Sequence, residues 1–439
     1  IDSSSTLRVP KNFILNSSLI NSGTITLAST SVGHIFTING DYKGNNGWLL
    51  LNAQLNGDNS LSDKLVVNGN TSGSTTVKVF NVAGLGAKTN KGIEVIKVTG
   101  NSDGVFLLAS PVQSGVWEYL LNKKGNNWYL DSTYYPEGKI EDNSLPKSDG
   151  IASPSPINPS GSLSDTPVTG SLAPTPQEPP RIYRPGISAY VLSQNLTNEM
   201  LSLSSGSLQE RLGEQYNAQI AACLPQSEND NDIFSKDLAW GRYSVSSVNL
   251  SGLKQFEFKS EISLVQLGKD IQREFNATNL SWQQKGVFVN LASSDADTAN
   301  RVRQLAKLDV NTGQIKTRQI GIGAYITHYD KNGGYLNWVS QINQFDSQFV
   351  DIYGDESQQK ATSLGVSLDW GKPQKLGRTK WLLEPQAQAQ YHVTAHNAFK
   401  DSYSQIDSYF AQSARLRLGT RLTWNSQAEL PTSETDQLK

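Results

Sequence analysis

Trp381-Leu382-Leu383-Glu384-Pro385-Gln386-Ala387-Gln388-Ala389-Gln390-Tyr391-His392 separates into two registers. Trp381, Leu383, Pro385, Ala387, Ala389 and Tyr391 make one; Glu384, Gln386, Gln388, Gln390 and His392 make the other, with Leu382 the exception. Side chains alternate across a strand, so one face is apolar with aromatic ends and the other carries a carboxylate and amides. In an outer-membrane barrel the first face meets lipid and the second lines a wet lumen. In a soluble sheet the first would meet a core and the second water.

Neighbouring segments repeat the pattern. Phe410, Gln412, Ala414, Leu416, Leu418, Thr420, Leu422 and Trp424 alternate with a register that holds Arg415, Arg417, Gly419 and Arg421. Three arginines on one strand face, beside a Glu/Gln face, imply a charged and hydrated interior. The expected pore-lining set is Glu384, Gln386, Gln388, Arg415, Arg417 and Arg421. Leu364, Val366, Leu368 and Trp370 alternate with Ser363, Gly365, Ser367 and Asp369, and Ile320, Ile322, Ala324 and Ile326 with Gln319, Gly321, Gly323 and Tyr325. Phe256, Phe258, Ile262 and Leu264 alternate with Glu257, Lys259 and Glu261 in the same manner. Runs of about ten residues with aromatic ends exceed the usual soluble strand, which favours the membrane barrel over a large sandwich.

Composition fits this. The hydrophobic fraction of 37% is low and Gly, Asn, Ser and Thr abound, as in turn-rich β architectures. No run of about eighteen apolar residues exists, so no transmembrane helix is expected. A net charge of −2 without a Lys/Arg cluster gives no support for a nucleic-acid partner. Cys223, in Ala221-Ala222-Cys223-Leu224-Pro225, is the only cysteine; no intramolecular disulfide or cysteine metal site can form, and a small buried role is expected. His392 and His396 have helical spacing but lie on and just past a strand, so no metal is expected there. No cofactor is implied.

Along the chain, 439 residues suggest two or three domains. Residues 1–131 are short β segments punctuated by Asn, Gly, Ser and Asp, with a spacing that suits solenoid rungs or sandwich strands. Asn39-Gly40 and Asn68-Gly69-Asn70 are expected to supply left-handed corners, and Trp128 in a terminal edge strand to cap the stack. Asp58, Asp63 and Asp103 are candidate carboxylates, but each sits among turn-forming residues. Residues 132–181, with Ser153-Pro154-Ser155-Pro156 and Pro174-Thr175-Pro176, read as a spacer. Residues 182–236 read as helical, with Ile187, Tyr190, Val191, Gln194, Asn198 and Leu201 on one stripe and a second helix over Ser207 to Ile220. Eight strands follow within 237–439.

These residues resemble the autotransporters, the type V self-secreting proteins of Gram-negative bacteria. Asp63-Lys64-Leu65-Val66-Val67-Asn68-Gly69, Gly92-Ile93-Glu94-Val95-Ile96 and Asn127-Trp128-Tyr129-Leu130 resemble the end of a pertactin-like passenger. Tyr183-Arg184-Pro185, Arg211-Leu212-Gly213-Glu214, Trp240-Gly241-Arg242, Gln266-Leu267-Gly268-Lys269-Asp270, Gly323-Ala324-Tyr325 and Glu384-Pro385-Gln386 resemble the barrel domain. The resemblance implies an all-β protein: a right-handed parallel β-helix at the cell surface, joined to a twelve-stranded transmembrane antiparallel barrel with a helix in its lumen. It further implies outer-membrane lipid, the barrel-assembly machinery and periplasmic chaperones as partners. The function expected is export and anchoring of the passenger, an adhesin or virulence factor with a host-surface or neighbouring-cell ligand, and no catalysis. The alternative is a secreted β-helix protein that binds or degrades polysaccharide.

Three departures stand out. Gly186 replaces an acidic residue, Tyr335-Leu336-Asn337 carries an amide where the family has a carboxylate, and about four closing strands are absent. Together with a start at Ile1 and a polar end at Ser433-Glu434-Thr435-Asp436, this suggests a piece of a longer precursor that needs those strands to insert and display residues 1–131. Self-cleavage at an Asn pair is not expected, since Asn195 and Asn198 are separated. Nitroxide labels at Leu418 and Arg417 should show opposite accessibility to apolar and polar quenchers in a bilayer; equal water exposure of both would exclude the membrane assignment.

Overall fold

The computed structural model describes residues 1–134, 180–212 and 239–424 apart from 254, 277, 280, 378 and 380. Cys223, most of the expected second helix, the spacer over 135–179 and the C-terminal run after Trp424 lie outside these.

The N-terminal part is a solenoid. One sheet joins β1 (Thr6–Arg8), β4 (Thr24–Thr26), β6 (Tyr42–Ala53), β8 (Thr71–Asn81) and β10 (Val105–Leu108), with β3 (Leu19–Asn21) also on β6. The other joins β2 (Phe13–Leu15), β5 (Ile35–Ile38), β7 (Lys64–Val67) and β9 (Ile93–Val98), all parallel. Parallel pairing between successive windings settles the solenoid over the sandwich. Ile25, Leu49, Leu51, Leu65, Val67, Val77, Val95 and Ile96 alternate inward to one continuous core that begins at Val9. At the expected corners, neither Asn39 nor Asn68 is left-handed. They instead form a ladder: the Asn39 amide donates to Asn16 Oδ1 at 2.7 Å and the Asn68 amide to Asn39 Oδ1 at 2.9 Å. Stacked windings bring identical side chains into register, and the amides pair across them.

The last winding turns antiparallel through β11 (Val112–Ser114), β12 (Trp117–Lys124) and β13 (Asn127–Asp131). β13 lies between β9 and β12, not at the edge expected for it. Trp128 is buried there, its ring 5.3 Å from Phe106 in an edge-to-face contact at the end of the core.

The C-terminal part is a curled antiparallel sheet of eight long strands: β14 (Ala239–Leu253), β15 (Phe256–Asn276), β16 (Ser281–Asn300), β17 (Asn311–Tyr329), β18 (Tyr335–Asp351), β19 (Glu356–Gly371), β21 (Trp381–His396) and β24 (Tyr409–Trp424). The two-residue strands β20 (Gln374–Lys375), β22 (Phe399–Lys400) and β23 (Gln405–Ile406) belong to the connections. β14 and β24 are each paired on one side among the described residues. Between them, the helices α1 (Gly186–Ser205) and α2 (Leu208–Leu212) lie against the concave face, and α3 (Val302–Leu305) sits in the β16–β17 connection.

Outward residues line up in rows. Leu267, Val289, Ile322, Ile342 and Leu364 are cross-strand neighbours and all exposed. Six residues along each strand, the same outward face reads Glu261, Asp295, Lys316, Gln348 and Gln358. Only about 9–11 residues of a tilted strand are needed to cross a bilayer, whereas β15 has 21. The remainder projects beyond the lipid, where the rule of apolar-out reverses. This corrects the expectation for β15: Phe256, Phe258, Ile262 and Leu264 are buried inward, and Glu257, Lys259 and Glu261 point outward. Toward the opposite end, outward Trp338, Trp370, Trp381 and Trp424 form an aromatic girdle.

Replacing Trp128 by Ala should cost the solenoid roughly 3–5 kcal/mol, because a ring against Phe106 is lost from a closed core. Protease resistance of residues 1–134 in urea reads this; resistance equal to the parent would remove the capping role.

Candidate functional site

The concave face holds α1 in two chemically distinct halves. Ile187, Ala189, Leu192, Leu196, Met200 and Leu201 pack against the inward Phe256, Phe258, Ile262, Leu264, Ala292, Ala296, Ile315, Phe345, Phe349 and Ala361. Each large side chain so buried contributes about 1.5–3 kcal/mol. The expected stripe is thus partly corrected: Val191 is 46% exposed and lies off the packed face, while Leu192, Leu196 and Met200 carry it. Gln194 and Asn198 of the expected stripe are only partly buried, because the sheet wraps the helix and buries a different and wider arc.

The C-terminal half meets amides. A helix end leaves its last carbonyls without intrahelical donors. Here Arg242 Nη2 donates to Leu203 O at 2.6 Å, Gln266 Nε2 to Ser204 O at 2.7 Å, and Gln388 Nε2 to Gly206 O at 2.9 Å. Gln341 Nε2 donates to Ser205 Oγ at 2.9 Å and Gln319 Nε2 to Ser204 Oγ at 3.3 Å, and His392 Nε2 lies 3.0 Å from Ser205 Oγ. Gly206 ends the helix at φ 42°, and a Cβ there would stand 2.5 Å from Arg242 Nη1. Only glycine satisfies both demands.

The next turn starts a capping box. Ser207 N donates to Glu210 Oε2 at 2.8 Å, Glu210 N to Ser207 Oγ at 3.2 Å, and Leu208 N to Asp369 Oδ2 at 2.6 Å. Buried Arg211 donates to Asn337 Oδ1 at 2.9 Å and lies 5.0 Å from the Tyr325 ring. Tyr325 donates to Asp270, and Trp240 Nε1 to Tyr325 Oη at 2.9 Å. Asn337 therefore keeps a place in the network as an acceptor, while Asp369 and Asp270 supply the negative charge around Arg211. The rings of Phe288, Tyr325 and Trp240 lie over Gly323, Gly286 and Gly268, where a Cβ would stand within 2.3 Å of ring atoms.

The expected pore-lining residues distribute as follows. Arg415 Nη2 is 2.5 Å from Glu199 Oε1, Arg417 Nη1 is 3.3 Å from Glu210 Oε1, and Arg421 Nη1 donates to Gln209 Oε1 at 2.7 Å. Gln388 is buried against Gly206, and Gln386 donates to buried Glu384 at 2.9 Å without reaching the helix. Sequence reasoning missed Arg242, Gln266, Gln319, Gln341, Asp369 and Arg211 as a set. The S-x-x-E letters of Ser207 to Glu210 could have flagged the cap; the wall amides carried no local signal.

At the other end, Arg184 and Asp401 form a fully buried pair, which Tyr190 Oη joins at 2.7 Å from Asp401 Oδ2. Phe399, in the same β21–β24 connection, packs 4.9 Å from the Tyr190 ring. Burial opposes ionisation of Asp401, but the Tyr190 hydroxyl and the Arg184 charge outweigh it and hold its carboxyl below the usual range.

Candidate carboxylates in the solenoid are engaged structurally. Asp58 Oδ1 accepts from the backbone N–H groups of Asn90, Lys91 and Gly92, and Asp63 from those of Gly33, His34 and Asn52. Gly100-Asn101-Ser102-Asp103-Gly104 has the letters of a nucleophile elbow, but Ser102 is buried at a solenoid corner beside Thr71, not at a strand-to-helix turn. No group of three or more His, Cys, Asp or Glu able to hold a metal occurs among the described residues.

Because the Asp401 carboxyl is held low in the folded state, its stabilisation is complete above the ordinary carboxylate pKa of about 3.9 and lost only as pH falls through the lowered value. Hydrogen-exchange protection factors of Phe399–Ile406, referred to the intrinsic amide rate at each pH, should be unchanged between neutral and mildly acidic pH. Arg184→Ala should expose the same segment at neutral pH, since removing one partner of a buried pair costs roughly 3–5 kcal/mol.

Residues 12–121 match the autochaperone domain type 1 family and residues 239–432 the autotransporter beta-domain family. The chain is 30% identical over 414 residues to the uncharacterized protein YdeU of Escherichia coli K12, covering 90% of this chain and 80% of that protein. It is 28% identical over 403 residues to the adhesin BmaC autotransporter of Brucella suis, covering 87% of this chain but 10% of that one. For the autotransporter adhesin AIDA-I of Escherichia coli the identity is 26% over 425 residues, with 91% and 28% covered. The crystal structure of the beta domain of the Bordetella autotransporter Brka aligns with 42% of this chain and 69% of its own, at 18% identity and a TM-score of 0.33. This chain belongs to the autotransporter family, with an outer-membrane β-domain and a passenger end exposed at the cell surface.

Proposed function

We propose that this chain is the secretion and anchoring end of an autotransporter. Its strands carry the chain into the outer membrane, its polar concave face passes the passenger outward, and α1 then occupies the path. The carrying observation is the match between the end of α1 and the wall: Arg242, Gln266 and Gln388 take up its free carbonyls. A helix held this way is a resident of the lumen, and the chain N-terminal to it must lie on the side of Arg184, where the solenoid sits. Hydrated arginines and amides tolerate an extended polypeptide in transit, whereas an apolar wall would bind it.

Folding outside supplies direction. Once the capped windings around Trp128 form, further windings elongate on an existing edge instead of nucleating anew. The activity of the whole protein belongs to the passenger. BmaC and AIDA-I carry the word adhesin in their names, so adhesion to a host or neighbouring cell is the passenger role proposed here, with no catalysis. Engagement of Asp58 and Asp63 by backbone amides supports a structural rather than an enzymatic solenoid. Insertion is proposed to depend on the barrel-assembly machinery and periplasmic chaperones.

The test is antibody labelling of intact cells that express the precursor of this chain with an epitope at exposed Leu85. Labelling should be strong, and Gln266→Leu combined with Gln388→Leu should reduce the stably inserted, heat-modifiable form several-fold. Epitope found only in the periplasm of the parent would overturn the assignment.

A further inference from the structure

On the side of the solenoid, the outward face of the sheet changes character within one step along its strands. Val265, Leu291 and Ile320, on β15, β16 and β17, are cross-strand neighbours, all exposed, and form the last apolar row. Two residues along each strand, the next row reads Ser263, Ser293, Arg318, Asp346 and Lys360. The same end of β15 carries Phe256, 5.8 Å from Tyr183, which itself stacks on Trp117 of the solenoid at 5.3 Å. The charged row therefore lies where the sheet leaves the lipid on the cell-surface side.

This step is a groove of about 600 Å³ whose walls include Val265, Leu291, Ile320, Arg318, Asp346 and Lys360. It dips over Ser263 and Ser293 because serine is short beside arginine and lysine. The protein leaves the cations of the groove unused. Asp346 Oδ1 accepts from Gln358 Nε2 at 2.5 Å, although Arg318 and Lys360 flank it in the register. Among the described residues Arg318 and Lys360 make no ion pair, and neither does Lys316, two residues further out on β17 beside Asp295. Arg318 and Lys360 stand two strands apart, roughly 10 Å at the usual strand spacing, within reach of two long side chains around one anion. Gln344 and Thr362, exposed in the row of Ile320, add an amide and a hydroxyl next to them.

Each part answers to a piece of one kind of molecule. Basic side chains at the edge of an apolar band recruit anionic headgroups. Phosphate is the anion that a guanidinium grips with two parallel hydrogen bonds. The apolar row suits an acyl chain, and the amide and hydroxyl suit sugar hydroxyls. Asp295 and Asp346 offset the long-range field of the three cations, so an anion is held here by contact and not by bulk attraction.

We propose that this groove binds a phosphorylated, multiply acylated sugar lipid of the outer leaflet. Its phosphate sits between Arg318 and Lys360, its sugar at Gln344 and Thr362, and an acyl chain along Val265, Leu291 and Ile320. Bound so, the lipid fixes how deep β15 to β19 sink into the membrane. The proposal rests on the membrane placement of the sheet, and the experiment separates the two.

The full precursor is extracted from outer membranes in mild detergent and moved into phosphatidylcholine nanodiscs. A diphosphorylated, acylated glucosamine disaccharide is then added and its binding followed by native mass spectrometry. Absence of the precursor from the outer-membrane fraction would defeat the membrane placement and the site with it. With the precursor present, the lipid should bind, and the same lipid stripped of its phosphates should bind roughly tenfold or more weakly, since charge-assisted contacts are lost. Equal binding of the two forms would overturn the proposal. Equal affinity for phosphatidylglycerol would remove the sugar from it, and equal affinity for inorganic phosphate would overturn the lipid as occupant. Arg318→Gln with Lys360→Gln should abolish the preference for the phosphorylated form, and Arg318→Lys should keep part of it. Lys285→Gln, at the girdle end beside Ile326 and Trp338, should leave it unchanged. A preference that survives the double substitution would overturn the assignment of the two cations. Where the double variant loses its heat-modifiable form, the single variants Arg318→Gln and Lys360→Gln, read on the heat-modifiable fraction alone, decide in its place.

Discussion

Free carbonyls at the end of a helix surrounded by a sheet must find donors, and this constraint organises the C-terminal two hundred residues. Leu203, Ser204 and Gly206 offer such carbonyls, and Arg242, Gln266 and Gln388 answer from three different strands. An unpaired polar group away from water costs about 1–3 kcal/mol, and because hydrogen bonds are directional these contacts fix the depth and rotation of α1, while its apolar side chains supply the larger burial energy. Gly206 then allows the turn that presents Ser207 and Glu210 as a cap and delivers Arg211 to Asn337. The motifs around Trp240, Gln266, Asp270 and Tyr325, scattered along the chain, converge on this one turn.

Strand length supplies the second constraint. Strands of fifteen to twenty-one residues are longer than the lipid requires, and the surplus extends the curled wall above the membrane. On the concave side of that extension, apolar Phe258, Ile262 and Leu264 bind the first half of α1; below it, amides bind the second half. One helix thus reads an apolar environment where the exterior is aqueous and a polar one where the exterior is lipid. The mouth is finished by Arg184–Asp401 and Glu118–Arg303, which tie the helix entrance and the solenoid to barrel connections.

Much of the sheet was legible. Alternation in Trp381 to His392 placed Glu384, Gln388 and His392 inward and Trp381 and Tyr391 outward, as the structure has them. Arg415, Arg417 and Arg421 face the helices. The same rule failed for Phe256 to Leu264, because a periodicity of two reports two faces without saying which solvent each meets. Asn39 and Asn68 were legible as corner residues but not as rungs of a ladder, since stacking of windings is not a local property.

The sequence by itself determined the alternation of eight long strands, the short-strand solenoid and the family to which both belong, because period-two patterning and turn residues act over a few neighbours. Tertiary structure alone decided which wall residues hold the helix end, how Gln266, Gln319 and Gln341 gather around Ser204 and Ser205, and that Glu118 meets Arg303 across 185 positions. Those pairings depend on sheet curl and strand register, which sum over the whole barrel; no local window of sequence contains them.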